Sequence, residues 1–252
     1  MKKISKIFSA VVNDVPQHRI YKTMENNLVF RADLHMHTRH SKDSLSEPAA
    51  VLRAAVKKGL HAIAITDHDE IEGAFETARL AKEKKLPLQI IIGEEVSTDE
   101  GDLLVYFLKK KIAPGKLVAV LAEVKRQGAV CSAAHPYDYT RYGIALGKIP
   151  AKQLASIGAV EAFNARITVH SHNDDAAAFA KANGKPMLAG SDAHHPSEVG
   201  AAYAEFEGIK KLDARSLISA PRKLYGKVSP KYVHLFSRYA VLTKKAGKML
   251  GK

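Results

Sequence analysis

An α/β barrel of about seven strands is the fold this 252-residue chain predicts, on three observations. Short apolar runs alternate with segments of helical spacing from residue 28 to residue 190, the pattern of repeated βα units. The apolar runs are continuous rather than alternating, which marks strands covered on both faces and hence a parallel sheet. Polar side chains of unusual type follow these runs, where a barrel presents a single rim. With 46% hydrophobic residues, the length suits one domain with a large core.

Residues 1–27 show no clear period and are expected to form a helical or irregular lead-in. Residues 28–32 read as a strand, and Ser46-Glu47-Pro48 opens a helix, so the intervening Asp33-Leu34-His35-Met36-His37-Thr38 begins a βα-loop. Strands are expected at 60–66, 88–92, 103–108, 128–134, 158–163 and 186–190. Helices are expected through residues 74–80, over 114–127 up to Gly128, and over 174–183 up to Gly184. Residues 203–208 can supply a last strand. Gly226 and Pro230 then punctuate the chain before an amphipathic segment at 232–250, expected to pack on the barrel as a terminal helix with its lysines facing water. The expected division is a lead-in at 1–27, a barrel at 28–226 and a basic tail at 227–252.

Cys131 is the single cysteine, inside the apolar run 129–134, and is expected to be a buried thiol without a redox role. No apolar stretch reaches the 18 or more residues of a membrane span, and residues 1–8 are interrupted by polar side chains before a signal-like core develops; a cytoplasmic protein is expected. The net charge of +13 is unevenly placed: residues 209–252 hold twelve Lys/Arg against Asp213 alone, whereas residues 31–208 hold 22 basic and 23 acidic side chains. A near-neutral body with a cationic end can attract nucleic acid or an anionic membrane, or leave a solvated tail.

The polar residues after the strands carry the chemistry. His35 and His37 stand at i and i+2, which lets two imidazoles at a strand end converge on one ion. Asp67-His68-Asp69 follows 60–66, Gly93-Glu94-Glu95 follows 88–92, His135-Pro136 follows 128–134, and Ser191-Asp192-Ala193-His194 follows 186–190. Such a set on one face is hard to solvate without a cation, because its like charges repel.

These motifs together resemble the PHP family, the polymerase and histidinol phosphatase domain, over residues 29–208. The resemblance implies a distorted (βα)7 TIM-like barrel holding two or three divalent ions such as Mn, Zn or Fe, and a metal-dependent phosphoesterase as the activity. It implies that His35, His37, Glu95 and Asp192 hold one ion, with Glu95 bridging to a second, and that Asp43, His68, His135 and His194 fill further ligand positions. The Gly-x-Glu motif favours Glu95 over Glu94. Where many family members open the next strand with histidine, this chain has Asp102, a shorter, charged ligand suited to a hard ion. Substrate is expected to be a small phosphomonoester or nucleotide end, with His68, Asp192 and His194 holding the ions that generate a hydroxide. The alternatives are a nuclease guided by the basic tail and a barrel that binds metal without catalysis.

Arg39 and Arg166 are candidates for phosphate recognition through a guanidinium fork. Asp33 and Asp67, each preceding a ligand, are expected to orient imidazoles or to make strand-end hydrogen bonds. His40 and His195 read as loop residues, and His170-Ser171-His172 as a surface loop before a helix. No Gly-x-Ser-x-Gly elbow or Gly-x-x-x-x-Gly-Lys loop is present. The sequence is silent on oligomeric state.

Overall fold

The computed structural model describes residues 29–249; the expected lead-in at 1–27 lies outside them. The strands, in chain order, are β1 Val29–Asp33, β2 Ala62–Ile65, β3 Gln89–Val96, β4 Leu103–Tyr106, β5 Val130–Ala133, β6 Ala159–Asn164, β7 Met187–Gly190, β8 Ala202–Glu207 and β9 Arg222–Gly226. They form one nine-stranded sheet in the order β7-β6-β5-β4-β3-β2-β1-β8-β9. The helices are α1 Pro48–Lys57, α2 Glu72–Glu83, α3 Leu117–Gln127, α4 Ala151–Ser156, α5 Ser171–Ala182, α6 Ala214–Ser219 and α7 His234–Met249.

The fully parallel sheet expected from the sequence is corrected here: β4 runs antiparallel to both β3 and β5, and β8 runs antiparallel to β1. The connection 97–102 is the reason, since it is too short for the dozen or so residues that a parallel crossover requires, and β3 and β4 must form a hairpin. This reversal has a chemical consequence. Because β4 enters where its neighbours leave, Asp102 at its start reaches the same rim as the carboxyl ends of β3 and β5.

The longer helices between strands cover the sheet with an apolar stripe. In α1 it is Pro48, Val51, Leu52 and Ala55; in α3 it is Leu117, Val120, Leu121 and Val124, and Gly128 ends that helix in the left-handed region at φ 68°. Pro48 occupies the first turn of α1, where its missing N–H has no partner to lose.

The barrel closes at the rim, beyond the ladders. Met36 bridges Ala193 in parallel, His37 N donates to Ala193 O at 2.9 Å, and Asp192 N donates to His35 O at 2.8 Å. Asp33 secures this seam by accepting from Ser191 N and Gly200 N, both at 2.9 Å. A Cβ on Gly190 would come 2.3 Å from the Cβ of His35, so only glycine allows this approach. The seam therefore brings His-x-His and Asp-x-His together.

Candidate metal centre

Alternation along β3 decides which of the two adjacent glutamates enters the barrel. Glu95 points into the rim, while Glu94 points to the other face, where its Oε2 accepts from Ile112 N at 2.8 Å. Around Glu95 the histidines close in: its Oε2 lies 3.2 Å from His35 Nε2, 3.3 Å from His37 Nε2 and 3.2 Å from His68 Nδ1, and its Oε1 lies 2.9 Å from His135 Nε2. Asp192 Oδ1 stands 3.3 Å from His37 Nε2 and 3.7 Å from His35 Nε2. Asp43 Oδ2 stands 3.0 Å from His194 Nε2 and 3.4 Å from His68 Nε2.

The side chains fall into three groups whose donor atoms lie within 4.8 Å of one another: His35, His37 and Asp192; His68, Glu95 and Asp102; and His37, Asp43, His68 and His194. Two nitrogens bound at about 2.1 Å in a tetrahedral shell are about 3.4 Å apart, close to the 3.1 Å between His35 Nε2 and His37 Nε2. The donor set, imidazoles with carboxylates, suits first-row divalent ions. The buried Nδ1 of His68, 3.2 Å from Glu95 Oε2, also makes no aligned hydrogen bond within the protein. The residues thus fit the ions that the sequence motifs imply.

Charge inside this cluster is set by proximity. Burial opposes charge on His68, yet Glu95 and Asp43 hold its pKa up to about 9. Burial and the neighbouring His194 push His37 down to about 3. Against their own burial, Glu95 is held well below the usual carboxylate range by His68 and His35, and Asp192 by His35, His37 and Arg141. Asp102 behaves oppositely: burial and the Glu95 charge raise it to about 6.

Positioning falls to residues the sequence reading had not singled out for function. Glu161, on β6, takes His35 Nδ1 at 2.9 Å with one oxygen and accepts from His135 N at 2.7 Å with the other. It thereby turns His35 Nε2 toward Glu95 and Asp192. A lone carboxylate in the apolar run 159–163 was the available signal. His194 Nδ1 lies 2.8 Å from Asp192 O; a carbonyl only accepts, so Nδ1 carries the proton and Nε2 of the neutral ring offers its lone pair. Arg141, in the loop after β5, bonds Asp192 Oδ2 at 2.5 Å and Asp138 Oδ2 at 2.8 Å, and no sequence motif marks it. His135 and Asp192 both hold positive φ, at 27° and 54°, costly conformations fixed by the bonds of their own N–H groups to Glu161 and His35 O.

Two expectations are corrected, both for guanidinium groups. Arg166 is no open phosphate fork: it is buried, with Nη2 on Val233 O at 3.1 Å and Ser237 Oγ at 2.8 Å, and Nε 3.3 Å from Glu198. Arg39 is paired with Glu47 and, through Nη2, with both oxygens of Glu76. Of the two roles expected for Asp33 and Asp67, the hydrogen bonds at the strand ends are the ones formed: Asp33 fastens the seam, and Asp67 accepts from Thr38 N at 2.5 Å and Thr38 Oγ1 at 2.7 Å, packed so closely that only Gly73 fits beside it. The His170–His172 pair lies at the start of α5, away from any of the three ligand groups. His40 pairs with Glu76, and His195 stacks on Phe236 of α7 with ring centroids 4.6 Å apart. Half-buried His234, at the start of α7, is pushed down to about 4 by burial and the charges of Arg166 and Arg141.

Comparison with known proteins places this arrangement. The PHP domain matches residues 33–146, the stretch holding His35 through His135, and the PHP-associated region matches residues 170–223, which include Asp192 and His194. An uncharacterized protein of Methanocaldococcus jannaschii is 32% identical over 190 residues, spanning 73% of this chain and 74% of its own. The chain belongs to the PHP family. A second uncharacterized protein of that archaeon is 38% identical over 119 residues, 43% of this chain and 68% of its own. Among solved structures, a two-domain Bacteroides vulgatus protein, described as containing a predicted PHP-like metal-dependent phosphoesterase, shares the PHP barrel fold. Its TM-score is 0.64 at 19% identity, over 79% of this chain and 65% of that one.

Proposed function

We propose that the rim cluster is the catalytic centre of a divalent-metal-dependent phosphoesterase acting on a small phosphomonoester or a nucleotide end. One observation carries the reading: a single buried carboxylate, Glu95, touches His35, His37, His68 and His135 at 2.9–3.3 Å, while Asp192 and Asp43 close the cluster from either side. His35, His37, Glu95 and Asp192 would hold one ion; His68, Glu95, Asp102 and His135 a second; Asp43, His68 and His194, with His37 adjacent, a third. When bound, such ions lower the pKa of a water, polarise a phosphoryl oxygen and neutralise charge on attack.

The chain's own residues supply the rest. Glu161 and the Asp192 carbonyl fix the orientations of His35 and His194, so donor lone pairs face one another without rearrangement. Arg141, sharing Asp192 with the histidines, keeps that carboxylate ionised. The seam residues Leu34, Met36 and Ala193 are buried beside the cluster. No side chain here stands out as a general acid.

The test is hydrolysis by protein reconstituted with Mn²⁺, Zn²⁺ or Fe²⁺, measured on phosphomonoesters, diesters, nucleotides and short oligonucleotides, with bound metal counted in the same samples. Phosphate release that vanishes in His37→Ala and Asp192→Ala is the expected result. Full metal loading with no turnover on any ester would overturn the reading.

A further inference from the structure

Helix α7 carries apolar residues on both sides: Ala240, Phe236 and, just before the helix, Val233 turn toward the protein, while a second set faces away from it. Tyr232, just before it, and Leu235, Tyr239 and Leu242 within it are 60%, 59%, 66% and 66% exposed. Their spacing of three, four and three residues puts them on one side of the helix. The opposite side holds the polar contacts: Arg166 bonds Val233 O and Ser237 Oγ, and Lys244 Nζ donates to Arg39 O at 2.5 Å and to Ser41 O. A terminal helix packed on the barrel with its lysines in water was the expectation; Val233 and Ala240 are buried and Arg238 and Lys245 face water, but Leu235, Tyr239 and Leu242 face water as well. Charge around the apolar stripe has one sign, since residues 227–252 contain seven Lys/Arg and no Asp or Glu, and Arg238 and Lys245 are exposed beside the stripe.

We propose that this face of α7 docks the protein onto an anionic lipid surface, the helix lying flat with Tyr232, Leu235, Tyr239 and Leu242 in the headgroup layer and Arg238 and Lys245 on the lipid phosphates. Three kinds of partner can be compared by their chemistry. A second copy meeting this face about a two-fold axis would set cationic segments against each other. Single-stranded nucleic acid would satisfy the cations and stack on the tyrosines, but it leaves Leu235 and Leu242 in water. An anionic bilayer surface accommodates the leucines, the tyrosines and the uniform positive charge together. The attachment is peripheral, because no helix among the described residues is long and apolar enough to cross a membrane. It also lies close to the rim, since α7 is fastened to Arg166, whose Nη1 contacts Asp192 O at 3.5 Å, and to the loop that leads to Asp43. The docking goes beyond the phosphoesterase reading and does not depend on it.

Vesicle flotation of the full chain tests it, using phosphatidylcholine alone and phosphatidylcholine with about 30 mol% phosphatidylserine. The protein should float with the anionic vesicles and remain below with the neutral ones. Partitioning should fall roughly tenfold or more in Leu235→Ser/Leu242→Ser and in Arg238→Ala/Lys245→Ala, and on raising salt from about 0.1 to about 0.5 M. Circular dichroism and metal content confirm that these surface variants fold. Absence of flotation with anionic vesicles would overturn the proposal, as would flotation indifferent to the leucine pair. So would a solution dimer abolished by the leucine variants without lipid binding, or oligonucleotide binding through the same cations in its place.

Discussion

The rim and helix α7 handle ionisable side chains in opposite ways. At the rim, His35, His37, Glu95 and Asp192 are almost wholly buried, within hydrogen-bonding or ion-pairing distance of one another, and each sets the protonation of the next. On α7, Arg238 and Lys245 are exposed, and leucines and tyrosines share the solvent face with them. Buried charges at contact distance are tightly coupled, so removing one leaves its neighbours without compensation. Exposed charges are screened and act on a partner collectively. A single substitution should therefore be severe at the rim and almost silent on α7, until a charged surface is offered.

The widest separation between the two regions should come from metal ligands. Asp192→Ala should abolish turnover, a loss larger than the 10- to 100-fold or so typical of residues behind the ligands, whereas wild-type protein given chelator should lose thermal stability. An ion at a hundredfold excess over its Kd stabilises by about 2.7 kcal/mol, which is about 5–10 °C for a chain of this size. Scanning calorimetry with and without chelator measures the shift, and its absence would mean that the rim holds no ion.

Glu161→Gln comes next. It keeps the shape but weakens the acceptor that orients His35, so metal affinity or kcat should fall about 10- to 100-fold, with the fold preserved by circular dichroism. A wild-type pH–rate profile and metal affinity in this variant would assign Glu161 to packing alone.

Asp102 tests the edge of the cluster. Asp102→Ala should lose one metal equivalent by elemental analysis, and Asp102→His should retain it with a preference shifted toward Zn²⁺ or Fe²⁺. Because burial and Glu95 raise this carboxyl to about 6 in the metal-free site, the ion's apparent affinity should begin to weaken as pH falls below that value. Equal stoichiometry in all three proteins would remove Asp102 from the ligand set.

Glu94 offers a smaller effect on the other face of β3. Burial lifts its folded pKa to about 7 from an ordinary 4.5, so the folded state holds a proton that the unfolded chain has released. That preference is intact below pH 4.5 and is lost as pH rises through about 7, costing at most about 3 kcal/mol. Glu94→Gln should flatten urea-derived stability across this window and leave metal content unchanged. The smallest effect is expected from Arg238→Ala, which should leave turnover of a soluble ester unaltered and stability within about 0.5 kcal/mol.

Sequence alone was enough to mark the residues that gather at the rim, because strand-end His, Asp and Glu residues lie in short motifs that together resemble the PHP family. Continuous apolar runs likewise disclosed the strands of a barrel, and the Gly-x-Glu pattern chose Glu95. Other assignments needed the tertiary structure. Glu161 and Arg141 act through contacts to residues 126 and 51 positions away; a lone carboxylate in an apolar run hinted at Glu161 without naming its partner, and nothing local marked Arg141. Arg166 looked like a free guanidinium because its partners, Val233 just before α7 and Ser237 within it, lie about 70 residues later. The direction of β4 followed from the length of its connection, which was legible, but its consequence for Asp102 appeared only once the hairpin had been paired with β5. Periodicity showed that α7 is amphipathic and not that a second apolar stripe would be left in water: the inward side is taken by Val233, Phe236 and Ala240 together with bonds to a guanidinium and two backbone carbonyls.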